Sequence, residues 1–247
     1  MDFLSSTDLI IAAVTFGAAI VSGLAGFAFA LIASGPFFYL LPPVEASALV
    51  LSSSLVAQIA AQLRLRQMPD WKRLAPFALG GIFGLPLGLA ILTIVPAGPF
   101  RLSLGIFLVG YSIISLCLGE PRQLMWADRK ADVIVGFLSG ILGGIAGISG
   151  ALLTIWVSFR GWTAQQQRAV YAPYFVMNQL IALPLLLPFV DLRHFLHAFL
   201  LGAPLIVIGA MIGVSMFRAT TASQFRLIVL GLLAFSGVSL VARQLFG

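Results

Sequence analysis

The chain has 247 residues, of which 60% are hydrophobic and 9% charged, and its mean hydropathy is +1.08. That composition excludes a soluble globular domain, in which about a quarter of the residues are charged. The formal charge of +6 gives no footing for a nucleic-acid partner, because Lys and Arg gather in the loops of membrane proteins for topological reasons.

The charged residues leave eight uncharged runs, at 9–44, 46–63, 74–100, 102–119, 133–159, 169–190, 194–217 and 227–242. About 20 apolar residues rising roughly 1.5 Å each cross about 30 Å of hydrocarbon, so nearly every run is long enough to span a bilayer. The runs are apolar on all sides and too long for barrel strands, which leaves helices whose backbone groups bond internally. The expected fold is an all-α polytopic membrane protein with about eight transmembrane segments embedded in the lipid bilayer. Ala28-Phe29-Ala30 has the form of a cleavage site, but Asp2 and Asp8 precede the run without any Lys or Arg, so no cleavable leader is expected. Cys117 stands alone and reads as a small hydrophobe.

Run 9–44 would measure about 54 Å as one helix, and tilt rarely absorbs so large an excess. It is expected to break, with Gly17, Gly23, Gly26, Gly35 and Pro36 supplying the places. Run 133–159 carries Gly136, Gly140, Gly143, Gly144, Gly147 and Gly150. Such glycines have two readings. They allow close helix packing of the small-xxx-small kind, or they interrupt a helix and expose peptide groups that must face protein or a polar cavity. The N-terminal end of an interrupted helix attracts anions.

The second half of the chain echoes the first. Ser22-Gly23 with Gly26 returns as Ser139-Gly140 with Gly143; at a constant offset Gln58 matches Gln179, Asp70 matches Asp191, Gly81 matches Gly202 and Gly88 matches Gly209; Phe100-Arg101-Leu102 returns as Phe225-Arg226-Leu227. This predicts two homologous halves, 5–118 and 131–246, each of about four membrane segments with the first broken or re-entrant, joined by a charged linker at 119–130. Eight simple crossings with the N-terminus inside place most of the basic residues, Arg64, Arg66, Lys72, Arg73, Arg129 and Lys130 among them, on the inner side, and Arg160 and Arg168 on the outer. Within the second copy the bias reverses, which is compatible with inverted halves.

The polar groups inside the runs are the candidate site. Gln58 and Gln179 occupy matched positions, and an amide in hydrocarbon is costly unless it finds a partner. Ser34, Ser149 and Asn178 add hydroxyl and amide groups, while Gly23, Gly26, Gly147 and Gly150 mark places where the backbone can open. Such groups replace an oxyanion's hydration shell without fixing it by full charge. Arg168, at the start of run 169–190, is the cation nearest such a path, or else an anchor snorkelling to water. Asp70 and Asp191 are expected to cap the helices that follow them. No acidic residue lies within any run, so no buried proton relay is visible and facilitated or potential-driven efflux is expected.

The ordered elements Ser22-Gly-Leu-Ala-Gly-Phe-Ala-Phe-Ala-Leu31, Asp70-Trp-Lys-Arg-Leu74, Gly80-Gly-Ile-Phe-Gly-Leu-Pro-Leu-Gly88, Gly140-Ile-Leu-Gly-Gly-Ile-Ala-Gly-Ile-Ser-Gly150, Arg160-Gly-Trp162 and Gln167-Arg-Ala169 resemble the sulfite exporter (TauE/SafE) family of duplicated membrane transporters over nearly the whole chain. The resemblance implies export of a small anion, sulfite or an organosulfonate, by a multi-pass protein of the bacterial cytoplasmic membrane. It implies no bound cofactor, and leaves a homo-oligomer open. The family departs from this chain after Ser149-Gly150, where Ala151-Leu152 replaces a denser glycine run or a proline. Two rival readings stand beside it. Gly147-Ile-Ser-Gly150 has the Gly-x-Ser-Gly form of a rhomboid-like intramembrane serine protease, with His194 and His197 downstream; a non-transporting scaffold is the other. Asp191, His194 and His197 lack a fourth ligand, so no metal site is expected.

Overall fold

A computed structural model describes residues 6–26, 28–66, 68–117, 128–216 and six positions between 231 and 242. The described residues form helices and no strand. In chain order these are α1 (Ser6–Ala25), α2 (Ala28–Leu40), α3 (Pro43–Leu65), α4 (Trp71–Ile94), α5 (Ala97–Cys117), α6 (Arg129–Ala146), α7 (Gly150–Ser158), α8 (Ala164–Leu186), a 3-10 turn (Leu187–Phe189) and α9 (Leu192–Met216). Six of the described helices, α1, α3, α4, α5, α8 and α9, are long and apolar enough to cross a membrane. The last expected segment, run 227–242, lies almost entirely outside the described residues.

Both long glycine-bearing runs are broken, each at one glycine with a left-handed backbone. Run 9–44 divides at Gly26, whose φ is +81°, and run 133–159 divides at Gly147, whose φ is +71°. Only a residue without a Cβ adopts that region cheaply. The other glycines pack helices together. Gly80, Gly84 and Gly88 line α4 and meet the α6 backbone at Val133, Phe137 and Ile141, while Gly136, Gly140 and Gly144 of α6 meet the α4 backbone at Phe77, Gly81 and Leu85. A Cβ at any of the six would lie under 3.0 Å from backbone atoms of the other helix, so the ladder permits a separation that no larger residue allows. Helix α9 lies on α1 in the same manner, Gly209 and Gly213 over the carbonyls of Phe16 and Ile20.

These pairings fix the helix directions. Helices α4 and α6 run parallel, as do α1 and α9, by the rising order of their contacts. Arg64 at the end of α3 reaches Ser215 at the end of α9 (3.4 Å), so α3 runs with α9. The Asp70 N–H donates to the Ala169 carbonyl (3.0 Å), which sets the start of α4 beside the start of α8. Helices α1, α3 and α9 therefore point one way, and α4, α6 and α8 the other.

The short helices turn back. Trp156 in the last turn of α7 donates to Asp132 in the first turn of α6 (2.8 Å), and Arg160, just beyond α7, donates to the same carboxylate. Helix α7 thus returns to the end at which α6 begins. Helix α2 returns likewise, since two residues separate it from α3, which starts at the same end as α1. Two hairpins, α1–α2 and α6–α7, therefore enter the bundle from opposite ends. The second return corrects an expectation drawn from simple crossings: Arg160 and Arg168 lie at the same end as Lys72, Arg73, Arg129 and Lys130.

Candidate functional site

The first break gathers three of the expected residues. The Gly26 N–H closes α1 on Ser22 O (2.6 Å), and its carbonyl accepts from Gln58 Nε2 of α3 (2.5 Å). Arg168, in the second turn of α8, reaches the other side of the same glycine, where a Cβ would stand 3.2 Å from the guanidinium carbon. Arg168 is 8% exposed and Gln58 2%. Neither Arg168 Nη2 nor Gln58 Oε1 has a hydrogen-bond partner. Helix α2, thirteen residues long, opens at Ala28, so free peptide N–H groups adjoin the break. A buried guanidinium adjoins the glycine at which α1 ends and after which α2 opens, a setting that suits an anionic oxygen, while the Gln58 oxygen beside it can only accept.

The second break is polar but uncharged. Gly147 and Ile148 close α6 on Gly143 O (2.8 Å) and Leu142 O (3.3 Å), and Ser47 Oγ of α3 donates to Ile145 O (3.0 Å). Ser149 and Gly150 open α7. A Cβ on Gly143 would lie 3.6 Å from Ser149 Oγ and 3.7 Å from Asn178 Nδ2, which places these two side chains together. Both Asn178 amide atoms and Ser139 Oγ are buried without a hydrogen-bond partner.

Between the two breaks Gln179 Nε2 of α8 donates to Ser54 Oγ of α3 (2.6 Å), one helical turn from Gln58. Gln179 Oε1 is another buried atom without a partner. Unpaired buried polar atoms are few in native proteins, and their alignment along the α3–α8 contact makes a polar thread through an apolar bundle. A nearby cavity of about 220 Å³, lined by Ile91, Phe100, Phe107, Leu142 and Ile148, is apolar and offers an anion nothing.

Two expected residues stand apart from the thread. Gly23 faces the Ala210 carbonyl of α9, where it serves helix contact. Ser34 Oγ donates to Leu31 O of its own helix (3.3 Å), as a hydroxyl in a membrane helix commonly does. Asp70 caps α4 through the Arg73 N–H (3.2 Å), and Asp191 caps α9 through the N–H groups of Arg193 and His194 (3.0 and 3.4 Å), both as expected.

Sequence reasoning missed two groups. Asp132, just before run 133–159, is 2% exposed and joins the two arms of the α6–α7 hairpin through Trp156 and Arg160. Tyr174, fully buried, donates to the Gly136 carbonyl (2.7 Å) with its ring against Gly81, fastening α8 across the glycine ladder. No observation favours the protease reading: Ser149 is buried beside Asn178, whereas His194 is 79% exposed beside Asp191 and His197 is paired with Asp8.

Broken hairpins inserted from opposite ends, parallel glycine-packed helices and six helices long enough to cross a bilayer describe a multi-pass helical membrane protein. The family description Sulfite exporter TauE/SafE matches residues 11–240, nearly the whole chain, and the protein belongs to that family. Neither a curated protein nor a solved structure matches the chain.

Proposed function

We propose that the protein exports a small oxyanion, sulfite or an organosulfonate, along the polar thread, binding it first at Arg168. The observation that carries this reading is the open Nη2 of a buried arginine set against the Gly26 break. A buried cation without a partner is expensive, and an anionic ligand removes that cost. The absence of full charge at the second break suits release, because a site that grips too tightly does not conduct.

The direction follows from charge. Among the described residues Arg64, Arg66, Lys72, Arg73, Arg129, Lys130 and Arg160 cluster at the end from which Arg168 is reached, against Arg101 and Arg193 at the other. By the positive-inside rule the basic end faces the cytoplasm, which puts the arginine site at the loading side of an exporter and the start of α1 at the outer face, the reverse of the orientation drawn from eight simple crossings. The membrane is then the bacterial cytoplasmic membrane.

The architecture is that of two inverted repeats, 5–118 and 131–246. In support, α1 relates to α9 of the other half as α6 relates to α4, and each half begins with a hairpin broken at a left-handed glycine. Inverted repeats with broken helices are a recurrent transporter design.

An inside-negative potential favours outward movement of a monoanion by about 2.3 kcal/mol per 100 mV. Sulfite efflux from proteoliposomes under an imposed potassium diffusion potential tests the proposal. Efflux should rise with inside-negative voltage and be lost in Arg168→Gln; flux that ignores voltage and follows a pH gradient instead would refute potential-driven export.

A further inference from the structure

We infer that the first break selects a singly charged oxyanion that carries its own hydrogen-bond donor, such as hydrogen sulfite or a hydroxyalkanesulfonate, over a dianion or a sulfonate without a donor. This rests on the anion-transport reading above and adds a selection rule to it.

The rule comes from the orientation of one amide. The Gly26 carbonyl can only accept, so the Gln58 group facing it at 2.5 Å must be Nε2. The open atom is therefore Oε1, which can only accept in turn, and it is buried without a partner. On the same glycine Arg168 presents an open Nη2, which can only donate. A ligand that satisfies both must offer an anionic oxygen to the guanidinium and an O–H or N–H to the amide oxygen. Sulfite dianion, sulfate and simple alkanesulfonates offer acceptors alone and leave Gln58 Oε1 unmet in a dry site, which is costly.

Charge points the same way. Arg168 is the one buried cation among the described residues, so a single negative charge is neutralised and a second enters the bundle unpaired. Farther along the thread Gln179 Oε1 is a second unpartnered amide oxygen.

The test compares ligands that differ by one hydroxyl. In wild-type proteoliposomes, uptake of 2-hydroxyethanesulfonate and of ethanesulfonate is measured alongside sulfate, both sulfonates being monoanions at any working pH. Uptake of the hydroxylated sulfonate should exceed that of its partner by at least about tenfold, as for other sites built around a ligand's hydroxyl, with sulfate near background. Gln58→Leu should bring the ratio toward one; should that variant not fold, the wild-type comparison decides alone. Equal uptake of the two sulfonates, or sulfate uptake matching either, overturns the rule. If both sulfonates move equally and Arg168→Gln stops both, the donor requirement falls and anion transport stands. If no anion moves and Arg168→Gln changes nothing, both readings fall.

Discussion

Arg160, just past the end of α7, donates to the carboxylate of Asp132 in the first turn of α6, so one ion pair closes the second hairpin at its mouth. The pair is buried unequally, the Asp132 side chain being 4% exposed and that of Arg160 16%. Trp156 Nε1 occupies the other carboxylate oxygen at 2.8 Å, and both Arg160 and Arg73 lie over the Trp162 ring, at 5.4 and 4.9 Å. Removing the arginine leaves a carboxylate with too few donors in a dry place. Arg160→Met should destabilise the protein by about 2–3 kcal/mol, while the double variant Asp132→Leu, Arg160→Met should recover part of that loss, because a buried pair replaced whole costs less than one broken. Thermal unfolding in detergent, run as a double-mutant cycle, measures both; an Arg160→Met protein as stable as wild type would show that the pair does not hold the hairpin.

The glycine ladder makes a contrast within one residue type. Gly84 faces the Phe137 carbonyl with no room for a Cβ, whereas nothing lies within 4 Å of the Cβ position at Gly17. Gly84→Ala must push α4 and α6 apart along their length and should cost about 2–4 kcal/mol, in the range of overpacked cores. Gly17→Ala should be neutral or stabilising by about 0.5–1 kcal/mol, because alanine favours the helix. Melting curves of the two variants in the same detergent should separate in opposite directions, and a Gly84→Ala protein with wild-type stability would contradict the packing.

At the two left-handed glycines the expected loss differs in kind. Alanine at either position carries a conformational cost of roughly 1–2 kcal/mol. At Gly147 the added Cβ also meets Val50 Cγ1 at 2.8 Å, while at Gly26 it meets the Arg168 guanidinium at 3.2 Å. Gly147→Ala should therefore lower stability and regain part of it with Val50→Ala. Gly26→Ala should lower anion flux by about tenfold or more with a smaller change in melting temperature, since it displaces the cation rather than the hairpin. Equal flux in wild type and Gly26→Ala would separate the break from the transport path.

Length alone required run 9–44 to break, but it did not choose among Gly17, Gly23, Gly26, Gly35 and Pro36. Gly23 and Gly26 look alike in a Ser-Gly-x-x-Gly stretch; what parts them is α9, which supplies Ala210 against Gly23, a contact invisible to any local pattern. The convergence of Gly26, Gln58 and Arg168 was legible only as three separate suspicions, because the hairpin brings α8 to the first break from the far half of the chain. Asp132 is hidden from the sequence for a related reason. Arg129 and Lys130 beside it suggest a solvated loop, and its partners Trp156 and Arg160 come near only once α7 turns back. The same return moved Arg160 and Arg168 to the other end of the bundle, so among the described residues both add to the basic end.

Arg168 is the residue on which charge and geometry converge, and its replacement by lysine is the sharpest of these tests. A guanidinium offers five donors in a planar fork, and its Nη2 is buried without a partner beside Gly26; an ammonium is a strongly hydrated point charge on a shorter reach. Arg168→Lys should keep the charge yet lose the bidentate grip on an oxyanion, lowering apparent affinity by about tenfold or more while some flux remains. Arg168→Gln removes the charge and should bring flux to background, although stability should hold or rise, because the buried cation has no protein partner at Nη2 to lose. Flux assays read against melting temperature distinguish this from a structural anchor. An anchor would show the reverse, with lysine restoring function fully and glutamine unfolding the bundle.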